Sequence, residues 1–152
     1  MSPTLDHIRQ WPDRVVLALC IYGEARNQSL EGQVAVACVA RNRLIKARGA
    51  HPATSWTDIL LAPWQFSCFN KADPNLPKIL RVGMAVMTGE EPDELAQMLW
   101  IADGVMSGAA NDVTRGADHY LSRQLLTTLP PSWAKDQPIL ATIGDHAFLA
   151  VA

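Results

Sequence analysis

The stretch Val15-Val16-Leu17-Ala18-Leu19-Cys20-Ile21-Tyr22-Gly23-Glu24-Ala25-Arg26 decides the architecture of this 152-residue chain. Its apolar run, opened by Pro12 and Asp13, predicts a helix that is apolar almost all round and therefore buried. Charge follows directly on that buried segment. Glu24 stands beside Tyr22 and Gly23 and two positions before Arg26. A carboxyl held against apolar walls has its charged form disfavoured, which is what a general acid near neutral pH needs. A Glu in this place also serves to end a helix and pair with Arg26 or a neighbouring helix. Spacing alone does not separate the two readings.

Working outward, Asn27-Gln28-Ser29 is a turn, and Ser29 or Asn27 caps a second helix from about Leu30 to Lys46. Leu30, Val34, Ala37 and Cys38 share one face of it, and Arg41, Asn42 and Arg43 bring polar groups to its far end. From Arg48 to Pro77 the pattern breaks. Pro52, Pro63, Pro74 and Pro77, with Trp56, Trp64 and Phe66, describe a long loop region holding one short helix near Thr57 to Leu61. A stretch of that length in one domain is usually functional. Lys78 to Met87 and Asp93 to Met106 read as helices, the second with Leu95, Met98, Leu99, Ala102, Val105 and Met106 as its stripe and Trp100 expected in the core. After Gly108 the chain turns polar, Pro130-Pro131 marks a turn, and Ile139 to Phe148 looks like short strands. The expected fold is mainly α, in the α+β sense, a helical domain with a small β-containing lobe.

Composition sets the frame. Hydrophobic residues make up 49% and charged residues 18%, which fits one domain, residues 1–152, with a sizeable core. A formal charge of −2 excludes a generally basic coat, so no nucleic-acid partner is expected. The run Val15 to Ile21 is far shorter than the roughly 20 residues that span a bilayer, so no stable membrane insertion is expected. Met1 to His7 carries an acid and no apolar core, and is not expected to be a signal peptide. Cys20, Cys38 and Cys68 are odd in number and far apart, with no C-x-x-C; reduced, partly buried thiols are expected.

The chemistry-bearing alternatives are few. Asp118-His119 and Asp145-His146 repeat an acid–histidine step, and two His with a carboxylate could hold zinc for hydrolysis. Neither has H-E-x-x-H spacing. A Cys20 or Cys38 nucleophile falls on an apolar helix face, and no Ser has a G-x-S-x-G setting. Trp64, Phe66 and Tyr120 lie in irregular polar segments beside Gln65, Ser67 and His119. Flat apolar faces among amides and hydroxyls suit a sugar chain.

Taken together, these blocks resemble a known family. Ile21-Tyr22-Gly23-Glu24-Ala25-Arg26 with Leu30 to Ala37 and Arg41-Asn42-Arg43 is similar to the opening motif of the SleB-like cell-wall hydrolases, the spore-cortex-lytic enzymes and their phage relatives. Pro63-Trp64-Gln65-Phe66-Ser67-Cys68 resembles the second block, Thr114 to Tyr120 the third, and Pro131-Ser132-Trp133 with Ile143 to Phe148 the last. The match runs in order from about Val15 to Phe148. The resemblance implies a lysozyme-like helical fold that cleaves peptidoglycan glycan strands as a lytic transglycosylase or muramidase. It implies Glu24 as the catalytic acid/base, and Tyr22, Arg26, Gln65, Phe66, Ser67, Thr114, His119 and Tyr120 as sugar-binding residues.

Neither metal nor cofactor is implied, and a monomer is expected. Asp73, Asp112 and Asp118 are available as a second carboxylate. With no leader expected, the resemblance points to a phage endolysin held in the host cytoplasm until release to the wall. Local positive potential from Arg26, Arg41, Arg43 and Arg115 is expected near the groove. The rivals are a zinc-dependent amidase or peptidase acting through His119, His146 and an Asp, and a non-catalytic phage wall-binding module.

Overall fold

The apolar run beginning at Val15 becomes the axis of the molecule. In the computed structural model, which describes residues 4–63 and 65–151, a short helix α1 (Leu5–Ile8) leads into α2 (Asp13–Ala25). Every residue from Val15 to Tyr22 is buried. Each fully buried Val, Leu or Ile there contributes about 1.5–3 kcal/mol relative to exposure. Around α2 pack α3 (Leu30–Ala50), α4 (Trp56–Leu60), α5 (Leu76–Met87) and α6 (Asp93–Met106). Among the described residues no helix is long and apolar enough to cross a membrane.

Local chemistry sets the boundaries. Ser29 Oγ accepts from Gly32 N at 3.2 Å and starts α3. Ser55 Oγ accepts from Asp58 N while the Asp58 carboxylate accepts from Ser55 N, a capping box that starts α4. Pro12 and Pro92 stand just ahead of α2 and α6, as N-caps and not inside the first turn. α3 runs past the expected end at Lys46 to Ala50, and α5 begins at Leu76, so the irregular region is shorter than the prolines indicate. Within it lies a single 3-10 turn, Ser67–Phe69. Trp64 and Met1 to Pro3 lie outside the described residues.

One burial expectation is overturned. Trp100 is 67% exposed, whereas Leu95, Met98, Ala102 and Val105 of the same helix are buried. Trp100 falls outside their i, i+3, i+4 rows, and the stripe turns it to solvent. Leu30, placed on the buried face of α3, is 46% exposed because it opens the helix ahead of the packed turns.

The β lobe is a three-stranded antiparallel sheet. β1 (His119–Ser122), β2 (Ile139–Ile143) and β3 (His146–Leu149) lie in the order β1-β3-β2, with Tyr120 opposite Phe148 and Ser122 opposite His146. Between β1 and β2 come a short helix α7 (Arg123–Thr128), capped by Ser122, and a 3-10 turn, Ser132–Ala134. Ala117, Ile143 and Phe148 of this lobe pack on Ala35 and Val39, a second small core that fixes the sheet against α3. That contact sets the edge of β1 facing the end of α2.

Candidate active site

Four parts of the chain converge on the C-terminal turn of α2. A cleft of about 410 Å³ is lined by Glu24 from α2, Arg43 from α3, Gln65 and Ser67, His119 and Tyr120 from β1, and Trp133. Glu24 Oε1 accepts from Tyr120 Oη at 2.5 Å. Its Oε2 accepts from Ser67 Oγ at 3.2 Å and from Cys68 N at 3.3 Å. The last turn of a helix is the unfavourable end of the dipole for an anion. Donors from two other segments compensate for that placement.

Gly23 makes this convergence possible. A Cβ there would stand 2.5 Å from Ile79 Cδ1 and 2.6 Å from Cys68 Cβ, so only glycine admits the 3-10 turn this close to α2. Burial, then the Glu24 charge, pushes the Tyr120 phenol well above its ordinary value, so it stays a proton donor near neutral pH. Cys68 N differs from the other two partners: it can only donate, whereas the hydroxyls of Tyr120 and Ser67 can donate to a carboxylate or accept from a carboxylic acid.

The far wall is also built. Burial works against the Asp118 carboxylate, yet bonds from His119, Val151 N and Lys46 outweigh it and hold the group below the usual carboxylate range. His119 Nδ1 lies 2.9 Å from Asp118 Oδ1, which makes Nδ1 the protonated nitrogen in the neutral ring. The Trp133 ring packs against His119 with centroids 5.0 Å apart. Arg43 spans Phe66 at 4.6 Å from the ring centroid and donates to Asp118 O and Gln65 O. Its guanidinium is therefore held over the cleft by both stacking and backbone bonds.

Of the expected sugar-binding residues, Gln65, Ser67, His119 and Tyr120 come together with Glu24 in this cleft. The others do not. Tyr22 and Arg26 sit two positions either side of Glu24, hence on the opposite side of the helix. Tyr22 is buried and donates to Glu94 Oε2, and Arg26 stacks on Tyr22 at 5.0 Å and bonds Tyr22 O and Asn75 Oδ1. Phe66 is 1% exposed beneath Arg43, supporting it without reaching the cleft. Thr114 is fully buried, where its hydroxyl donates to Asp112 Oδ1 at 2.6 Å and accepts from Ala117 N.

The charges are placed differently from expectation as well. Only Arg43 of the four arginines lines the cleft. Arg41 ties α3 to Val105 O and Ala110 O, and Arg115 is exposed at a left-handed turn with φ 59°. Asp112 is bonded by Thr114 and Gly116 of its own loop and by Asn42 of α3, and Asp73 accepts from Asn75 N. Glu24 is the one carboxylate among the described lining residues.

Two rival chemistries find no geometry. No group of three His, Cys, Asp or Glu side chains gathers to hold a metal among the described residues. His146 packs edge-on against Tyr120 at 5.2 Å, and burial pushes it below its ordinary value. The cysteines are buried; burial raises Cys20 and Cys38, and the contact with Cys20, then burial, raises Cys68 well above the thiol range. Such thiols stay protonated and are poor nucleophiles. A larger hollow of about 700 Å³ along α5, floored by Leu76, Leu80 and Met84, shares no residue with the Glu24 cleft.

Sequence reasoning missed Trp133 as a cleft residue, although it lies inside a motif block, and placed Arg43 near the groove only as one of four arginines. It also missed Cys68 N, a backbone donor that no side-chain pattern reveals, and Asp118 as the anchor of His119. The adjacent acid–histidine step was the available signal for the last.

A family model described as Cell Wall Hydrolase matches residues 27–149, beginning three residues after Glu24. The fold is similar to the catalytic domain of the Bacillus cereus SleB protein, with 23% identity, coverage of 90% of this chain and 88% of that one, and a TM-score of 0.61. It is also similar to the catalytic domain of the germination-specific lytic transglycosylase SleB from Bacillus anthracis, with 22% identity, coverage of 90% and 93%, and a TM-score of 0.60. No curated protein matches the chain.

Proposed function

The chain belongs to the cell wall hydrolase family, and from that premise we propose that it cleaves the glycan strand of peptidoglycan with Glu24 as general acid and base. The observation that carries this reading is the setting of Glu24: a single carboxylate in a cleft of about 410 Å³, held at both oxygens.

In the proposed reaction, protonated Glu24 gives its proton to the glycosidic oxygen that follows N-acetylmuramic acid. The bond from that oxygen to C1 breaks, and an oxocarbenium-like centre develops. Glu24, now a carboxylate, takes the proton of the same residue's 6-hydroxyl as that oxygen closes on C1. The product is a 1,6-anhydro end, no water is consumed, and Glu24 regains its proton. The hydroxyls of Tyr120 and Ser67, each able to donate or accept, hold the two carboxyl oxygens as the proton leaves and returns.

Two-carboxylate glycosidases place their acids about 5–10 Å apart across the bond. Asp73, Asp112 and Asp118 are engaged elsewhere, which favours the transglycosylase over the hydrolase. The likeness to a lytic transglycosylase domain supports the same choice. The reading takes a monomer as the acting unit, since Glu24 has donors at both oxygens from its own chain. Mass spectrometry of digested peptidoglycan decides the outcome. Anhydro-muramic ends are expected, whereas hydrated reducing ends would replace transglycosylation by hydrolysis. Activity abolished by EDTA and restored by zinc would overturn the Glu24 account.

A phage role in host lysis, with the enzyme kept in the host cytoplasm until release, is supported by the resemblance to phage members of the family. Expression inside a bacterium should leave cells intact until the membrane is permeabilised, then lyse them. Lysis without permeabilisation would overturn that delivery.

A further inference from the structure

The turn Gly144-Asp145 between β2 and β3 delivers one residue that the proposed reaction does not use. A strand puts i and i+2 on one face, so His146 and Phe148 of β3 share the face that Tyr120 of β1 occupies. Tyr120 sits opposite Phe148 and diagonal to His146, and the three rings pack together. Centroids lie 5.2 Å apart for Tyr120 and His146, 5.7 Å for Tyr120 and Phe148, and 6.2 Å for His146 and Phe148. The His146 ring stands edge-on to the phenol, with 67° between planes. It braces the ring whose hydroxyl reaches Glu24 Oε1.

One atom of this brace lacks a partner. His146 Nδ1 is buried and makes no hydrogen bond among the described residues. A buried nitrogen left so costs stability, and phenylalanine would fill the space without that cost. The titratable and charged groups around the ring are Tyr120 from β1, Glu24 from α2 and Asp145 of its own turn. Asp145 Oδ2 already accepts from Gln28 Nε2, and Arg123 Nη1 of α7 donates to Gly144 O. Burial outweighs both carboxylates and keeps the ring neutral near pH 7. A charged ring carries a donor on each nitrogen, and nothing stands ready to accept from Nδ1. It gains a partner only by moving off the phenol. While it stays, its charge favours the Glu24 carboxylate over the acid that starts the reaction.

Resting on the glycan-cleavage reading, we propose that His146 is the positioning residue of the Tyr120–Glu24 pair, holding the phenol on Glu24 only while its own ring is neutral. Acid then switches the enzyme off. Glu24 begins and ends the reaction protonated, so acting alone it gives the rate a basic limb and no acidic one. The acidic limb is the contribution of His146.

The test follows kcat against pH on purified peptidoglycan for wild type, His146→Phe and His146→Leu, with circular dichroism at each pH to keep to folded protein. Wild-type kcat is expected to fall about tenfold per pH unit below the midpoint at which the His146 ring titrates by NMR. His146→Phe keeps a ring and cannot charge, so it should lose that limb. An acidic limb at the same midpoint in folded His146→Phe overturns the proposal, and so does wild-type kcat that holds steady through the midpoint. A second measurement is made near pH 7.5. His146→Leu removes the edge-on ring, so kcat should fall by up to about tenfold, the cost of losing the Tyr120 donor, with KM little changed. His146→Phe should restore most of it, and wild-type kcat in His146→Leu overturns the brace. Wild-type enzyme that cuts no glycan bond sinks the parent reading instead, so the two failures are distinguishable.

Discussion

Tyr120 Oη lies 2.5 Å from Glu24 Oε1 and donates to it across 96 residues of chain. The phenol is half-buried and keeps its proton, so it can donate to the carboxylate and to the carbonyl oxygen of the protonated acid alike. Tyr120→Phe removes that donor and nothing else of comparable size. A bond to a charged group is worth about 1.5–3 kcal/mol, so kcat should fall about tenfold or more while KM changes little. Steady-state kinetics on purified peptidoglycan checks this. Unchanged kcat would reduce Tyr120 to a packing residue.

Glu24→Gln should leave a folded protein with activity down about 10² or more, the loss of an acid/base group. The amide nitrogen must face either Tyr120 or the Ser67 and Cys68 pair, so a small drop in thermal midpoint should accompany it. Turbidity assays on outer-membrane-stripped cells give the rate. Lysis at the wild-type rate would mean that Glu24 is structural.

Gly23→Ala adds one methyl group in the wrong place. The new Cβ meets Ile79 Cδ1 and the Cβ of Cys68, and the latter moves only if the 3-10 turn moves with it. Overpacking of this kind costs about 1–3 kcal/mol. Because Cys68 N is a partner of Glu24, activity at a temperature well below the melting point should fall as well. Thermal melts and kinetics on one preparation separate the two effects.

Acid should weaken the fold in two steps. Burial opposes the Asp112 carboxylate, but bonds from Thr114, Asn42 and Gly116 together hold it below the usual range. A depressed carboxyl brings stability that is complete above the unfolded value of about 3.9 and is lost as pH falls through the folded value. His146, lowered by burial, follows the same sign from about pH 6.5 downward. Urea midpoints measured against pH should show both steps. Asp112→Asn should reduce the lower step, which Asp118 shares, and leave the upper, whereas His146→Phe should remove the upper and leave the lower.

The helical frame was legible because α2 is an unbroken apolar run and Ser29 is a cap in the right place. Glu24 was legible for the same reason, as a charge at the end of that run. Its surroundings were not, since Ser67 and Tyr120 lie 43 and 96 residues away and nothing in local spacing says which segment folds back. Tyr22 and Arg26 stand beside Glu24 in the sequence, yet the helix turns them to the face opposite the cleft. β1 escaped notice because His119-Tyr120-Leu121-Ser122 is too short for a period, and its partner strand lies near the other end of the region. Trp100 reads as core from its place amid the α6 stripe residues, but its angle on the helix lies outside that stripe.

The strand order β1-β3-β2 bears on when the enzyme becomes active. β1 carries the phenol that meets Glu24, and its ladder partner is His146–Leu149. A ribosome-bound chain with Glu24, Ser67 and Tyr120 already synthesised still lacks the strand that holds Tyr120 in register. Glu24 therefore leaves the ribosome well before β3, and the cleft around it is assembled only once the strand that holds its phenol partner has been made.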